Sequence, residues 1–284
     1  MPSFIRSELM NLPLHTKENA EEIRLRMGRL PSVTVFGGEI RLARLNPVGK
    51  AEITEVIERA SMSTASHRTS LREGWCSAEN GHRIGVGGAV IRTEAGTEFA
   101  EFSSVSVRIA RELTGVGDTV GKQAFTEGFQ STLILSPPGC GKTTLLRDLC
   151  RSLSNGLFGR GYRVGIADER GEIAAIHDGL PGFDIGNGSD VVSGLTKSEA
   201  IMSLLRSLSP DLIATDEITN TDDCRVMIEA SHCGVGFLAT AHAKSTDDLK
   251  KRPIYAEMIA NRVFSQAILI ENIGGVRKYE FRRI

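Results

Sequence analysis

The segment Ser136-Pro137-Pro138-Gly139-Cys140-Gly141-Lys142-Thr143 has the residue types and spacing of a phosphate-binding loop. The apolar run Leu133-Ile134-Leu135 precedes it, and the helix-like Thr144-Leu145-Leu146-Arg147-Asp148-Leu149 follows. Between a strand and a helix, consecutive backbone N–H groups can turn inward around a β-phosphate while the helix N-terminus adds its partial positive charge. Gly139 and Gly141 admit the unusual backbone angles, Lys142 can reach the β- and γ-phosphates, and the Thr143 hydroxyl can sit on Mg²⁺. ATP and Mg²⁺ are the expected ligands, with nucleotide contacts at Pro138, Gly139, Cys140, Gly141, Lys142, Thr143 and Thr144. Ser136 stands where the first loop glycine is usual.

A loop of this kind needs catalytic partners, and the chain supplies them after three further apolar runs. Val164 to Ala167 leads into Asp168-Glu169-Arg170-Gly171-Glu172, Leu212 to Ala214 into Thr215-Asp216-Glu217, and Phe237 to Ala239 into Thr240-Ala241-His242. In an open parallel sheet, ligands bind beyond the carboxyl ends of the strands, so these groups should converge on one edge. Asp216 can hold the Mg²⁺ shell with Thr143, and Glu217 can orient or deprotonate the attacking water. Asp168, Glu169 and Glu172 could support the metal, the water or a phosphate-reporting loop, or simply form a solvated charged turn. His242 sits where it can sense a γ-phosphate by a hydrogen bond, or be simply a hydrogen-bonded histidine at a strand end. Transition-state charge calls for an arginine, with Arg83, Arg108 and Arg111 available before the loop and Arg206 after it. Arg108 is favoured because strand alternation in Val105 to Ile109 takes it away from the apolar face.

The elements that must position these groups fall into two regions. Linker-like punctuation in Leu113-Thr114-Gly115-Val116-Gly117-Asp118 predicts a boundary between an N-terminal α+β domain, 1–117, and a second domain, 118–284. In the first, Glu22 to Met27, Val33 and Val35, Arg83 to Val86 and Val105 to Ile109 read as strands, with a turn at Gly37-Gly38. Ile53, Val56, Ile57 and Ala60 follow helical spacing. In the second domain, strand, loop and helix repeat, which predicts a parallel sheet covered by helices. Ile201, Leu204, Leu205 and Leu208 mark the clearest helix, and the glycine-rich stretch 179–194 reads as a mobile loop.

Bulk properties weigh against other classes. A net charge of -1 gives no global pull toward nucleic acid, and with one tryptophan, Trp75, the chain shows no aromatic stacking platform. No run approaches the roughly 18 apolar residues of a membrane span, and the N-terminus lacks a signal-peptide core. A cytoplasmic protein is expected, attached to membranes only through a partner. Cys76, Cys140, Cys150, Cys224 and Cys233 are scattered and show no metal-site spacing.

Taken in order, several motifs resemble the stage III sporulation protein AA family, relatives of the type II and type IV secretion ATPases. They are Glu22 to Arg29, His82 to Gly88, Val105 to Arg111, Pro137 to Thr144, Asp168 to Arg170, Ser209 to Ile218 and Ala239 to His242. The resemblance implies an α/β fold with a RecA-like P-loop ATPase core behind the smaller N-terminal domain. It also implies a homo-oligomeric ring, a hexamer in this family, acting from the cytoplasm on a membrane protein of a sporulation or secretion-like complex. It places an acidic box at Asp168 to Glu172, the metal-and-glutamate box at Asp216-Glu217 and a histidine box at His242, with Arg83 and Arg108 approaching the phosphates. Thr219-Asn220 and Gly188 depart from the family pattern, as Ser136 does. Two alternatives compete with an ATP-driven ring motor: a nucleic-acid-dependent motor, and a nucleotide-gated scaffold with little turnover.

Overall fold

Unbroken apolar runs need cover on both faces. In the computed structural model of the chain, each of the four runs above is an interior strand of one sheet. The structure describes residues 1–35, 38–61, 74–78, 81–93, 96–177, 179–273 and 276–284. The chain divides into two compact units, Met1–Arg111 with Ala175–Gly182, and Glu112–Ala174 with Phe183–Ile284. The expected boundary at 117/118 lies within the second unit's sequence.

The first unit contains α1 (Ser3–Met10), α2 (Leu14–Glu18), β1 (Ala20–Arg26), β2 (Ser32–Val35), β3 (Gly38–Arg41), α3 (Lys50–Ser61), β4 (Trp75–Ser77), β5 (Arg83–Thr93) and β6 (Gly96–Arg108). The strands form an antiparallel sheet in the order β3-β2-β1-β6-β5-β4. The turn expected at Gly37-Gly38 lies partly outside the described residues. Register pairs Ile23 with Val107 and Val107 with Ile84, and Leu25 with Val105 and Val105 with Val86, so one face is apolar. That face joins Ile53, Val56, Ile57 and Ala60 of α3 in one core. The same alternation puts Arg83, Arg108 and Glu22 in one row on the opposite face. Arg83 lies 4.1 Å from the Trp75 ring centroid. Glu22 accepts from Arg24 at 2.7 Å and from the Ser106 hydroxyl.

The second unit contains α4 (Asp118–Phe125), β7 (Thr132–Ser136), α5 (Lys142–Ser154), β8 (Val164–Asp168), β9 (Ser189–Ser193), α6 (Lys197–Ser207) and β10 (Leu212–Thr215). It continues with α7 (Thr221–His232), β11 (Gly236–His242), α8 (Thr246–Lys250), α9 (Pro253–Ala260), β12 (Gln266–Ile273) and β13 (Val276–Arg283). Its sheet order is β13-β12-β7-β11-β10-β8-β9, parallel throughout except for β13 at the edge. Every residue of β7, β8 and β10 is buried, as central parallel strands require.

Leu133, Leu135, Ala167, Ile213 and Phe237 from the strands pack with Ile201, Leu204 and Met227 from the helices. Leu208, predicted on that apolar stripe, is 39% exposed because α6 ends at Ser207. The glycine-rich stretch 179–194 is not a loop throughout, since 189–193 forms β9 along β8. Its approach is pinned where the Gly188 N–H donates to Ser154 Oγ at 2.6 Å. The linker-like stretch is likewise anchored: buried Asp148 on α5 accepts from the N–H groups of Gly115 at 3.0 Å and Gly117 at 2.7 Å.

All five cysteines are free thiols. Burial pushes Cys76 and Cys224 up to about 11 and Cys150 up to about 12, so these three are poor nucleophiles at neutral pH. Alkylation of the folded chain at pH 8, followed by peptide mass mapping, is expected to label Cys140 and Cys233 only. The other three should react after denaturation, and labelling of Cys150 in the native state would contradict this packing.

Candidate functional site

The loop after β7 is shaped by two residues that need left-handed backbone. Gly139 has φ +77° and Gly141 φ +92°, and Gly141 caps α5 so that Lys142 is the first helical residue. Ser136 is not among the residues with positive φ, which removes the backbone requirement for glycine there. Its hydroxyl donates to the Pro137 carbonyl at 2.8 Å.

Register between β7 and β11 sets Ser136 opposite His242 and brings the histidine to the lysine of the loop. Lys142 Nζ donates to the carbonyls of Ser136 and Pro137, each at 3.3 Å, and lies 2.7 Å from His242 Nδ1. An ammonium can only donate, so Nδ1 accepts and the ring proton belongs on Nε2. Nε2 in turn lies 3.3 Å from Glu217 Oε1. Lys142, His242 and Glu217 thus form one chain of polar contacts. Burial lowers the Lys142 pKa, while Asp216 and Glu217 oppose the shift.

A second chain crosses beside it. The Thr143 hydroxyl donates to Asp216 Oδ2 at 2.7 Å. Asp216 Oδ1 accepts from the Thr240 hydroxyl and from the Glu217 N–H at 3.1 Å, and that N–H also meets Thr240 Oγ1 at 2.9 Å. Glu217 sits at φ +23°, an uncommon backbone state for a non-glycine residue that these bonds hold in place.

Asp168 ends β8 with its carboxylate turned into the backbone. It accepts N–H bonds from Glu172 at 2.9 Å, Ile173 at 3.2 Å and Ala174 at 2.9 Å. Burial raises its pKa and those donors oppose the rise. Arg147, itself buried, donates to the carbonyls of Ile173 and Glu172, both at 2.7 Å, and stacks 3.6 Å from the centre of the Phe183 ring. Glu169 is paired at 3.0 Å with Lys197, whose side chain is only 8% exposed. Asp168, Glu169, Glu172, Lys197, Asp216 and Glu217 line one cleft.

The expected groups Lys142, Thr143, Asp216, Glu217 and His242 are therefore in direct contact, and Asp168 serves the loop behind them. Arg83 and Arg108 lie side by side in the first unit. Lys197, Thr240 and Arg147 had no role assigned from sequence. A capping box of Thr196 and Glu199 starts α6, but nothing local in the sequence marks Lys197 as turned inward. Asn220 caps α7 by accepting from the Asp223 N–H at 2.8 Å, which accounts for one of the family departures.

The donor set suits Mg²⁺ bound to a nucleotide. Among the described residues no cluster of three or more His, Cys, Asp or Glu side chains could hold a metal by itself. One carboxylate and one hydroxyl, from Asp216 and Thr143, fit an ion whose other ligands are phosphate and water oxygens.

A family model described as Sporulation stage III, protein AA matches residues 3–280. Stage III sporulation protein AA of Bacillus subtilis (strain 168) is 31% identical over 278 residues, covering 97% of this chain and 90% of that protein. Among solved structures, the Legionella pneumophila ATPase DotB superposes with a TM-score of 0.64 at 16% identity, covering 100% of this chain and 81% of its own. The pilus retraction motor PilT with bound ADP gives 0.65 at 15% identity, covering 95% and 80%. These likenesses establish the expected mixed α/β fold of P-loop secretion ATPases.

Thr240→Val removes a hydroxyl that serves both Asp216 and Glu217. It should destabilise the chain by about 1–3 kcal/mol, the usual cost of leaving buried polar groups unpaired. Urea unfolding measures this, and an unchanged midpoint would show that Thr240 does not hold the acidic pair.

Proposed function

From membership of the family described as sporulation stage III, protein AA, to which the chain belongs, we propose that the protein is a Mg²⁺-dependent ATPase. It hydrolyses ATP to ADP and phosphate as a secretion-type ring motor that energises a sporulation channel or secretion-like complex. The observation that carries this reading is the contact of Lys142 and Thr143 with His242, Asp216 and Glu217 at one sheet edge.

Each residue has a task that its surroundings support. The Lys142 ammonium is held on neutral acceptors, two carbonyls and a ring nitrogen, which phosphate oxygens outcompete because they carry charge. When Lys142 turns to the β- and γ-phosphates, His242 Nδ1 loses its donor and the ring becomes free to report on the γ-phosphate. Glu217 keeps an oxygen beside His242 and is placed to orient and deprotonate the attacking water. Thr143 and Asp216 would hold Mg²⁺, which screens the phosphate charge. Asp168 and Glu169 support the site by fixing the loop after β8 and by pairing with Lys197. Arg83 and Arg108 supply transition-state charge, for which a single arginine is worth about 10³–10⁵ in rate.

The working form is a homo-oligomeric ring, a hexamer, located in the cytoplasm against a membrane protein of the complex. Among the described residues no helix is long and apolar enough to cross a membrane. Molar mass in solution with and without ATP tests the ring, and a strict monomer under both conditions counts against the motor.

Lys142→Ala and Glu217→Gln should each lower Mg²⁺-dependent ATP turnover by about 100-fold or more, the scale of a lost catalytic contact. Phosphate release by the purified full chain measures it. Variants as active as the wild type would overturn the assignment.

A further inference from the structure

The groups assigned above serve the β- and γ-phosphates and leave the α-phosphate without a side-chain charge. Sheet order indicates where that charge must come from. His242 and the Asp216-Glu217 pair follow β11 and β10, on one side of the loop strand β7, while β12 and β13 lie on the other. A nucleotide with its γ-phosphate toward β11 and β10 must extend its α-phosphate and nucleoside toward β12 and β13.

Arg277 on β13 stands on that flank. A Cβ atom on Gly141 would come within 3.0 Å of the Arg277 Cζ, 3.1 Å of Nε and 3.3 Å of Nη1. The guanidinium thus rests against the last loop glycine. It lies at the positive end of α5, next to the residue that bears the Lys142 ammonium. Four other arginines of this unit are paired with carboxylates: Arg151 with Asp148, Arg163 with Asp211, Arg252 with Asp248 and Arg282 with Glu280. No carboxylate pairs with Arg277 among the described residues. At a helix N-terminus, a guanidinium with no carboxylate of its own is placed to take a phosphate as its counter-charge. The exposed guanidinium is also a planar fork suited to phosphate oxygens.

We propose that Arg277 binds the α-phosphate side of the nucleotide, a role that rests on the ATP-site reading above. Its contribution is to affinity for ADP and ATP alike, because the α-phosphate is common to both. Calorimetric titration of the full chain with Mg-ADP and with Mg-ATP, on the wild type, Arg277→Gln and Arg277→Lys, tests it. Arg277→Gln should weaken both nucleotides about 10- to 100-fold, the weight of a hydrogen bond between charged groups, and Arg277→Lys should recover part of the loss. The unfolding midpoint without nucleotide should stay the same in all three proteins. Unchanged ADP affinity overturns the proposal, as does a loss confined to ATP or one matched by a drop in nucleotide-free stability. A wild-type chain that binds neither nucleotide overturns the ATPase reading along with it, whereas a binding wild type with an equally binding Arg277→Gln overturns the Arg277 role alone.

Discussion

The hydrogen bond from Thr143 to Asp216 joins the first turn of α5 to the end of β10, and the site depends on it. It couples two segments that adjoin strands separated in the sheet by β11. Thr240, on the intervening strand, closes the gap by bonding to both Asp216 and Glu217. Parallel register makes this possible, since it brings the carboxyl ends of β7, β11 and β10 to one edge. Buried strands then hold that edge in place, because their side chains are covered on both faces.

Charge is distributed unevenly across the same edge. Carboxylates collect on the β10 and β8 side, and cations collect at the start of α5. His242 stands between them as a neutral bridge, accepting from Lys142 and facing Glu217. One imidazole thus links the lysine of the loop to the glutamate after β10. Lys197 and Arg147 stabilise the acidic side, the first by an ion pair and the second by holding the backbone of the loop.

The departures from the family pattern become local matters in this setting. Ser136 occupies a backbone state open to any residue, Asn220 is a helix cap, and Gly188 closes the approach to β9. None of these three removes a group from the chain of contacts around Lys142 and Asp216. In the first unit, alternation along β1, β5 and β6 separates an apolar face from a face bearing arginine and glutamate.

The sequence by itself determined the four interior strands of the second unit and the chemical inventory at their ends. Apolar runs marked β7, β8, β10 and β11, and the residue after each run carried its chemistry, because strand burial and loop geometry are short-range demands on residue type. It overextended the apolar stripe of α6 to Leu208 and read β9 as loop, since edge pairing of a polar, glycine-flanked segment leaves no periodic mark. Tertiary structure alone decided the contacts that strand ends by themselves leave open. The inward turn of Lys197, the bridging hydroxyl of Thr240, the backbone engagement of Asp168 and the seat of Arg277 on Gly141 all depend on strand order and register. Those are set by packing between segments far apart in the chain, where residue spacing carries no distance information.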